Sequence, residues 1–193
     1  MSIDLLETLQ KNLGYPALQK IDPNTEAVVV DDKMPEEHKF SQAAIPAVLT
    51  AFYKYVQADE GAASFLRGDS SSNWVSKIFL GNQMEVVQKI TAYSKEPGED
   101  SIAKLNAMAN ETVKVVKENL PAGAEVKDVK LFFSSQRTKI LLYLPAALNM
   151  GELLKDDTLD DNTNKMEGPI SSLMHSIGAA FSTPVTTEEI KNP

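Results

Sequence analysis

The stretch Asn82 to Leu120, NQMEVVQKITAYSKEPGEDSIAKLNAMANETVKVVKENL, decides the fold class. Its first half sets Met84, Val86, Val87, Ile90 and Tyr93 at helical spacing, with Asn82 in the N-cap position and Glu85 three residues on to complete a capping box. That run must stop at Lys95-Glu96-Pro97-Gly98, because proline has no amide hydrogen for the ladder and glycine readily takes the positive φ of a turn. Glu99 and Asp100 then suit the positive end of a second helix dipole. Along the second helix Ile102, Leu105, Ala109, Val113, Val116 and Leu120 recur every three or four residues, and Leu120-Pro121-Ala122-Gly123 closes it. The sequence predicts an antiparallel helical hairpin, whose apolar side other helices must cover.

Working outward, Ser2 or Asp4 is placed to cap a helix carrying Leu5, Leu6, Leu9 and Leu13, with Gly14 ending it, and Tyr15-Pro16-Ala17-Leu18 opens a short second helix. Ala27 to Val30 fits a short strand or a buried helical turn, and Asp31 to Lys39 reads as a charged connector. Ser41 to Val56 reads as helical, with Ile45, Val48, Leu49, Phe52 and Val56 on one side and Pro46 near the first turn, where its missing amide costs little. Asp59 to Leu66 suggests another helix. Asn73 caps a brief turn whose Trp74, Val75, Ile78 and Phe79 form a core plug at the foot of the hairpin.

Val126 to Leu144 admits two readings, a helix or a β-hairpin of Val129–Phe133 and Thr138–Leu144; its helical surroundings favour the helix. Helical turns follow at Leu144 to Leu148 and Gly151 to Leu154, then a polar loop from Asp156 to Met166. Ile170, Leu173, Met174, Ile177 and Phe181 pattern a last amphipathic helix behind Pro169. The expectation is an all-α, multihelical array around the central hairpin, one domain over residues 1–181, with a loose tail at 182–193.

Composition narrows the chemistry. The chain has no cysteine, which removes disulfides, thiolate catalysis and cysteine-ligated metal centres. A net charge of −8 without a block of Lys and Arg argues against nucleic acid or an anionic membrane as partner. No apolar run is long enough for a membrane span and Met1-Ser2-Ile3-Asp4 lacks a basic leader, so the expected location is cytoplasmic.

Ile45-Pro46-Ala47-Val48-Leu49, Glu60-Gly61-Ala62-Ala63 and Phe79-Leu80-Gly81-Asn82-Gln83 with the hairpin resemble the bacterial YidB-like family. So does Leu131-Phe132-Phe133-Ser134-Ser135-Gln136 leading to Leu144-Pro145. The resemblance covers roughly residues 40 to 155. It implies a multihelical fold of unknown biochemical function and supplies no catalytic residues.

The polar loop is the one stretch with metal-like character. Asp160, Asn162 and Asn164 match the first ligand positions of an EF-hand, but Lys165 stands where the turn needs Gly and Ser171 where a bidentate Glu belongs. A different calcium loop would draw on Asp156, Asp157, Asp160, Asp161 or Glu167; the plainer reading has these residues capping helix ends. His38 and His175 have no partner at metal-ligand spacing, and Arg67 and Arg137 are the only arginines. Met84, Met108, Met150, Met166 and Met174 suit either an adaptable groove or gap filling in a core, and the core is favoured. No Gly-x-Ser-x-Gly elbow or Gly-rich phosphate loop occurs.

No catalytic, cofactor-binding or metal-binding residue is therefore assigned, and no cofactor is expected. The sequence favours a non-enzymatic module that binds a protein partner or itself. The alternative is a small-molecule or divalent-metal-binding protein with its site at the acidic loop 156–167.

Overall fold

A computed structural model describes residues 3–21, 35–68, 73–95 and 100–159. These residues form eight α-helices: α1 (Leu5–Asn12), α2 (Glu36–Gln57), α3 (Asp59–Arg67), α4 (Trp74–Ile78), α5 (Gln83–Ser94), α6 (Ser101–Asn119), α7 (Val126–Leu141) and α8 (Met150–Leu154). Short 3₁₀ turns at Ala146–Leu148 and Asp157–Leu159 complete an all-α array, with no strand among the described residues. The expected elements at residues 27–30, the last amphipathic segment at 170–181 and the tail lie outside the described residues.

Both helices of the Asn82–Leu120 stretch are present, and α2 lies against both of them. It also contacts α1, α3, α4, α7 and α8. Every residue from Lys39 to Phe52 is buried, the polar Lys39, Ser41, Gln42 and Thr50 included, so other elements cover α2 on all sides. Ala43, Ala44, Ala47 and Ala51 keep its surface narrow enough for neighbours on every side. Phe52 anchors an aromatic cluster, its ring centroid 5.8 Å from that of Phe65, 5.7 Å from Trp74 and 5.9 Å from Phe133. This cluster ties α2, α3, α4 and α7 together.

Local signals form several of the helix ends. Asp4 accepts a hydrogen bond from the Glu7 amide at 3.1 Å and Asn73 one from the Ser76 amide at 3.2 Å, as their cap positions predict. Gly14, at φ +74°, donates to the Lys11 carbonyl while Tyr15 donates to that of Gln10, closing α1 in a Schellman motif. Residues 126–141 are helical, and the Asp128 carboxylate caps their start by accepting from the Glu125 amide at 2.8 Å.

Four expectations need correction. Helix α2 begins at Glu36 rather than Ser41, so Pro46 lies in its interior and withdraws the amide hydrogen that would bond the Gln42 carbonyl. Asn82 makes no capping bond; its Nδ2 donates instead to the Leu153 carbonyl at 3.4 Å, a long-range contact that overrides the capping box. Met84 and Ile102, read as stripe residues, are exposed.

Residues 15–21 are not helical. They run across the fold and are held by Gln42, whose Oε1 accepts from the Gln19 amide while its Nε2 donates to the Gln19 and Tyr143 carbonyls. The Ile21 amide adds a bond to the Leu142 carbonyl at 2.8 Å. Distant partners here satisfy the backbone groups that a local helix would have paired.

Candidate functional site

Helices α2, α3 and α4 enclose a groove of about 470 Å³. Gly61 and Ile78 are buried at its base, Tyr55 and Leu80 supply apolar walls, and Lys54, Glu60, Ser64 and Arg67 bring polar groups to it. The sequence sets this geometry at three points. Ala58, in extended conformation, breaks the chain between α2 and α3. Gly61 then lets α3 turn close in, since a Cβ there would lie 1.9 Å from the Tyr55 carbonyl oxygen. At the other end Gly68 lies under Trp74, where a Cβ would fall 2.3 Å from the indole ring, and Lys117 Nζ donates to the Leu66 carbonyl at 3.0 Å and to that of Gly68. These contacts fix the C-terminus of α3 and with it the position of Arg67.

Leu80 is the residue that departs from packing economy. It follows α4 at the C′ position of a Schellman motif: the Leu80 amide donates to the Lys77 carbonyl and the Gly81 amide to that of Ser76. That position needs a left-handed backbone, normally supplied by glycine, yet here a leucine takes φ +53°. A left-handed non-glycine residue costs roughly 1–2 kcal/mol. Lys95 and Lys155 adopt the same region, but each extends a charged side chain into solvent. Leu80 instead leaves an apolar side chain 58% exposed at the groove, and Met84, four residues on, is 56% exposed. Leu80 thus combines a left-handed backbone with an exposed apolar side chain at the groove.

The charged groups differ in their commitments. Lys54 pairs with Asp156 at 2.9 Å. Arg67 is exposed and has no ion pair among the described residues. A second groove of about 290 Å³, between α1 and residues 17–18, is lined by charges that already pair: Lys11 with Glu7 at 2.6 Å and Asp4 with Lys139 at 3.4 Å. It offers an incoming group less.

Of the residues weighed from sequence, Asp156 acts as a structural carboxylate. Besides Lys54 it accepts from the Thr158 hydroxyl at 2.7 Å and the Thr158 amide at 3.2 Å, capping the turn at Asp157–Leu159. Burial alone pushes its pKa up, but the hydrogen bonds from Lys54 and Thr158, with the Lys54 charge, outweigh that and hold it below the ordinary carboxylate value. Asp160, Asp161, Asn162, Asn164, Lys165, Glu167, Ser171 and His175 lie outside the described residues. Among the described residues no three His, Asp or Glu side chains are grouped to hold a metal ion.

His38 is half-buried in α2, and Arg137 stacks over the Tyr53 ring and donates to the Thr158 carbonyl at 3.2 Å. Met108 and Met150 are core residues. Sequence reading did not find the groove, because its lining comes from three helices and its most telling residue is defined by a backbone angle.

Comparison of the chain with family models, with curated proteins and with solved structures finds no match. No helix among the described residues is long and apolar enough to cross a membrane.

Proposed function

We propose that this protein is a non-enzymatic binding module that receives a polypeptide segment in the α2–α3–α4 groove. The segment carries an apolar side chain, to pack on Tyr55, Ile78 and Leu80, and a carboxylate, to meet Arg67. The observation that carries this reading is Leu80, an exposed apolar residue in a left-handed conformation that glycine would satisfy at lower cost. A docked apolar side chain would return Leu80 to an apolar environment, with burial worth about 25 cal/mol per Å² of surface removed from water.

Panning a displayed random-peptide library on the immobilised full chain tests the proposal. Enriched peptides should pair an apolar anchor with Asp or Glu, and their binding should fall at least tenfold on Leu80→Gly and on Arg67→Glu. Absence of enrichment, or peptides that bind both variants as well as the parent chain, would overturn it.

A further inference from the structure

We infer that the partner received at the groove is a second copy of this chain, docked about a two-fold axis with the two α3 helices antiparallel. This rests on the binding function proposed above and names its partner. Three charged side chains line the groove: Lys54, Glu60 and Arg67. Lys54 is held by Asp156 at 2.9 Å. Glu60 and Arg67 are exposed and make no ion pair among the described residues. The charges around them are committed: Asp59 pairs with Lys130, Lys77 Nζ lies 4.7 Å from the centroid of the Trp74 ring, and Lys117 donates to the Leu66 and Gly68 carbonyls. Both uncommitted charges belong to α3, Glu60 in its first turn and Arg67 in its last.

Their spacing makes α3 complementary to itself. Arg67 follows Glu60 by two helical turns, about 10.5 Å along the axis and about 20° from the same face. A helix with an acid and a base so placed fits its own copy run in the opposite direction: Glu60 meets the partner's Arg67 while Arg67 meets the partner's Glu60, so one ion pair forms twice. Ala63 and Ser64 lie between them on that face, and their small side chains leave room for the opposing helix. Leu80 lines the same groove and is 58% exposed, so a symmetric contact covers two such leucines at once. The second copy thereby supplies the apolar side chain and the carboxylate that the groove is proposed to receive. It also accounts for Glu60, a carboxylate that would repel an acidic ligand at one edge of the groove but is itself used when the partner is an identical chain.

Sedimentation equilibrium of the full chain tests this at about 0.15 M salt, where a Debye length of about 8 Å screens the net charge of −8 on each copy. The weight-average mass should climb from one chain towards two as concentration rises from about 1 μM to about 1 mM. Glu60→Arg and Arg67→Glu each set like charges against one another at both contacts, so each should weaken the dimer at least tenfold, as should Leu80→Gly. Mixing the two reversed variants in equal amounts should bring the dimer back, because one copy then carries only bases and the other only acids at the two positions. Should a reversal fail to fold, Glu60→Gln and Arg67→Gln take its place, and each must weaken the dimer at least tenfold. A parent chain that stays monomeric overturns the inference, and so does a dimer indifferent to these substitutions or a mixture of folded reversed variants no more associated than either alone. Any of these beside library peptides that still require Leu80 leaves the proposed function standing without this partner.

Discussion

The side chain of Gln42 reproduces a peptide pairing with the backbone of Gln19, its Oε1 accepting from the amide at 2.7 Å and its Nε2 donating to the carbonyl at 2.9 Å. Gln136 does the same for the N-terminus of α1, accepting from the Leu5 amide and donating to the Ile3 carbonyl, both at 3.1 Å. Two buried amides from α2 and α7 thus hold the non-helical N-terminal backbone onto the array. Replacing Gln42 by Leu removes three hydrogen bonds, each worth about 1 kcal/mol net, so the loss should be about 3 kcal/mol in urea unfolding. The Ile21 amide should lose its protection from hydrogen exchange at the same time.

The aromatic cluster around Phe52 is a second target for mutation. Phe133→Ala removes a ring that sits 5.9 Å from Phe52 and 5.6 Å from Phe65, and the collapse of such a site is incomplete. A destabilisation of about 3–5 kcal/mol is expected from denaturant titration. Trp74, the only tryptophan and fully buried, should resist acrylamide quenching in the parent chain and become accessible in that variant.

Tyr93 has its phenol pushed up to about 12 by burial. The neutral form is the one favoured in the fold, so its contribution is complete below the unfolded value of about 10 and is lost as pH rises from there through the folded value. A spectrophotometric titration should show one late phenolate step near that higher pH, absent in Tyr93→Phe.

Asp156 carries the opposite sign. Its charged form is favoured by Lys54 and Thr158, so the stability it contributes is present above the unfolded value of about 3.9 and is lost as pH falls through the lower, folded value. Urea unfolding should find Asp156→Asn less stable than the parent chain at neutral pH, with the difference shrinking as pH drops below about 4.

What could be read from the sequence follows the range of the interactions involved. Asp4, Asn73 and Gly14 act within one helical turn, and each behaves as its residue type predicts. The pattern and surroundings of residues 126–144 favour a helix over a β-hairpin, and α7 is that helix. The capping box at Asn82 failed because Leu153, 71 residues away, claimed the side chain. The start of α2 was missed because Glu36 to Lys39 looks like connector, although Lys39 is buried. Of the proposed site, Arg67 stands out in the sequence only by the rarity of arginine. Leu80 could not be flagged at all, since nothing in a leucine announces a positive φ and the Schellman motif there lacks its usual glycine.

That missing glycine gives the most direct test of the proposed groove. In Leu80→Gly the left-handed position gains its natural occupant, so the melting temperature should hold or rise, while the apolar contact is removed. Calorimetric titration of the tightest library-selected peptide into the parent chain and into this variant compares the two directly. The account predicts at least a tenfold weaker affinity in a variant no less stable than its parent. Equal affinity in the two proteins would contradict it, showing that the exposed leucine has no part in recognition.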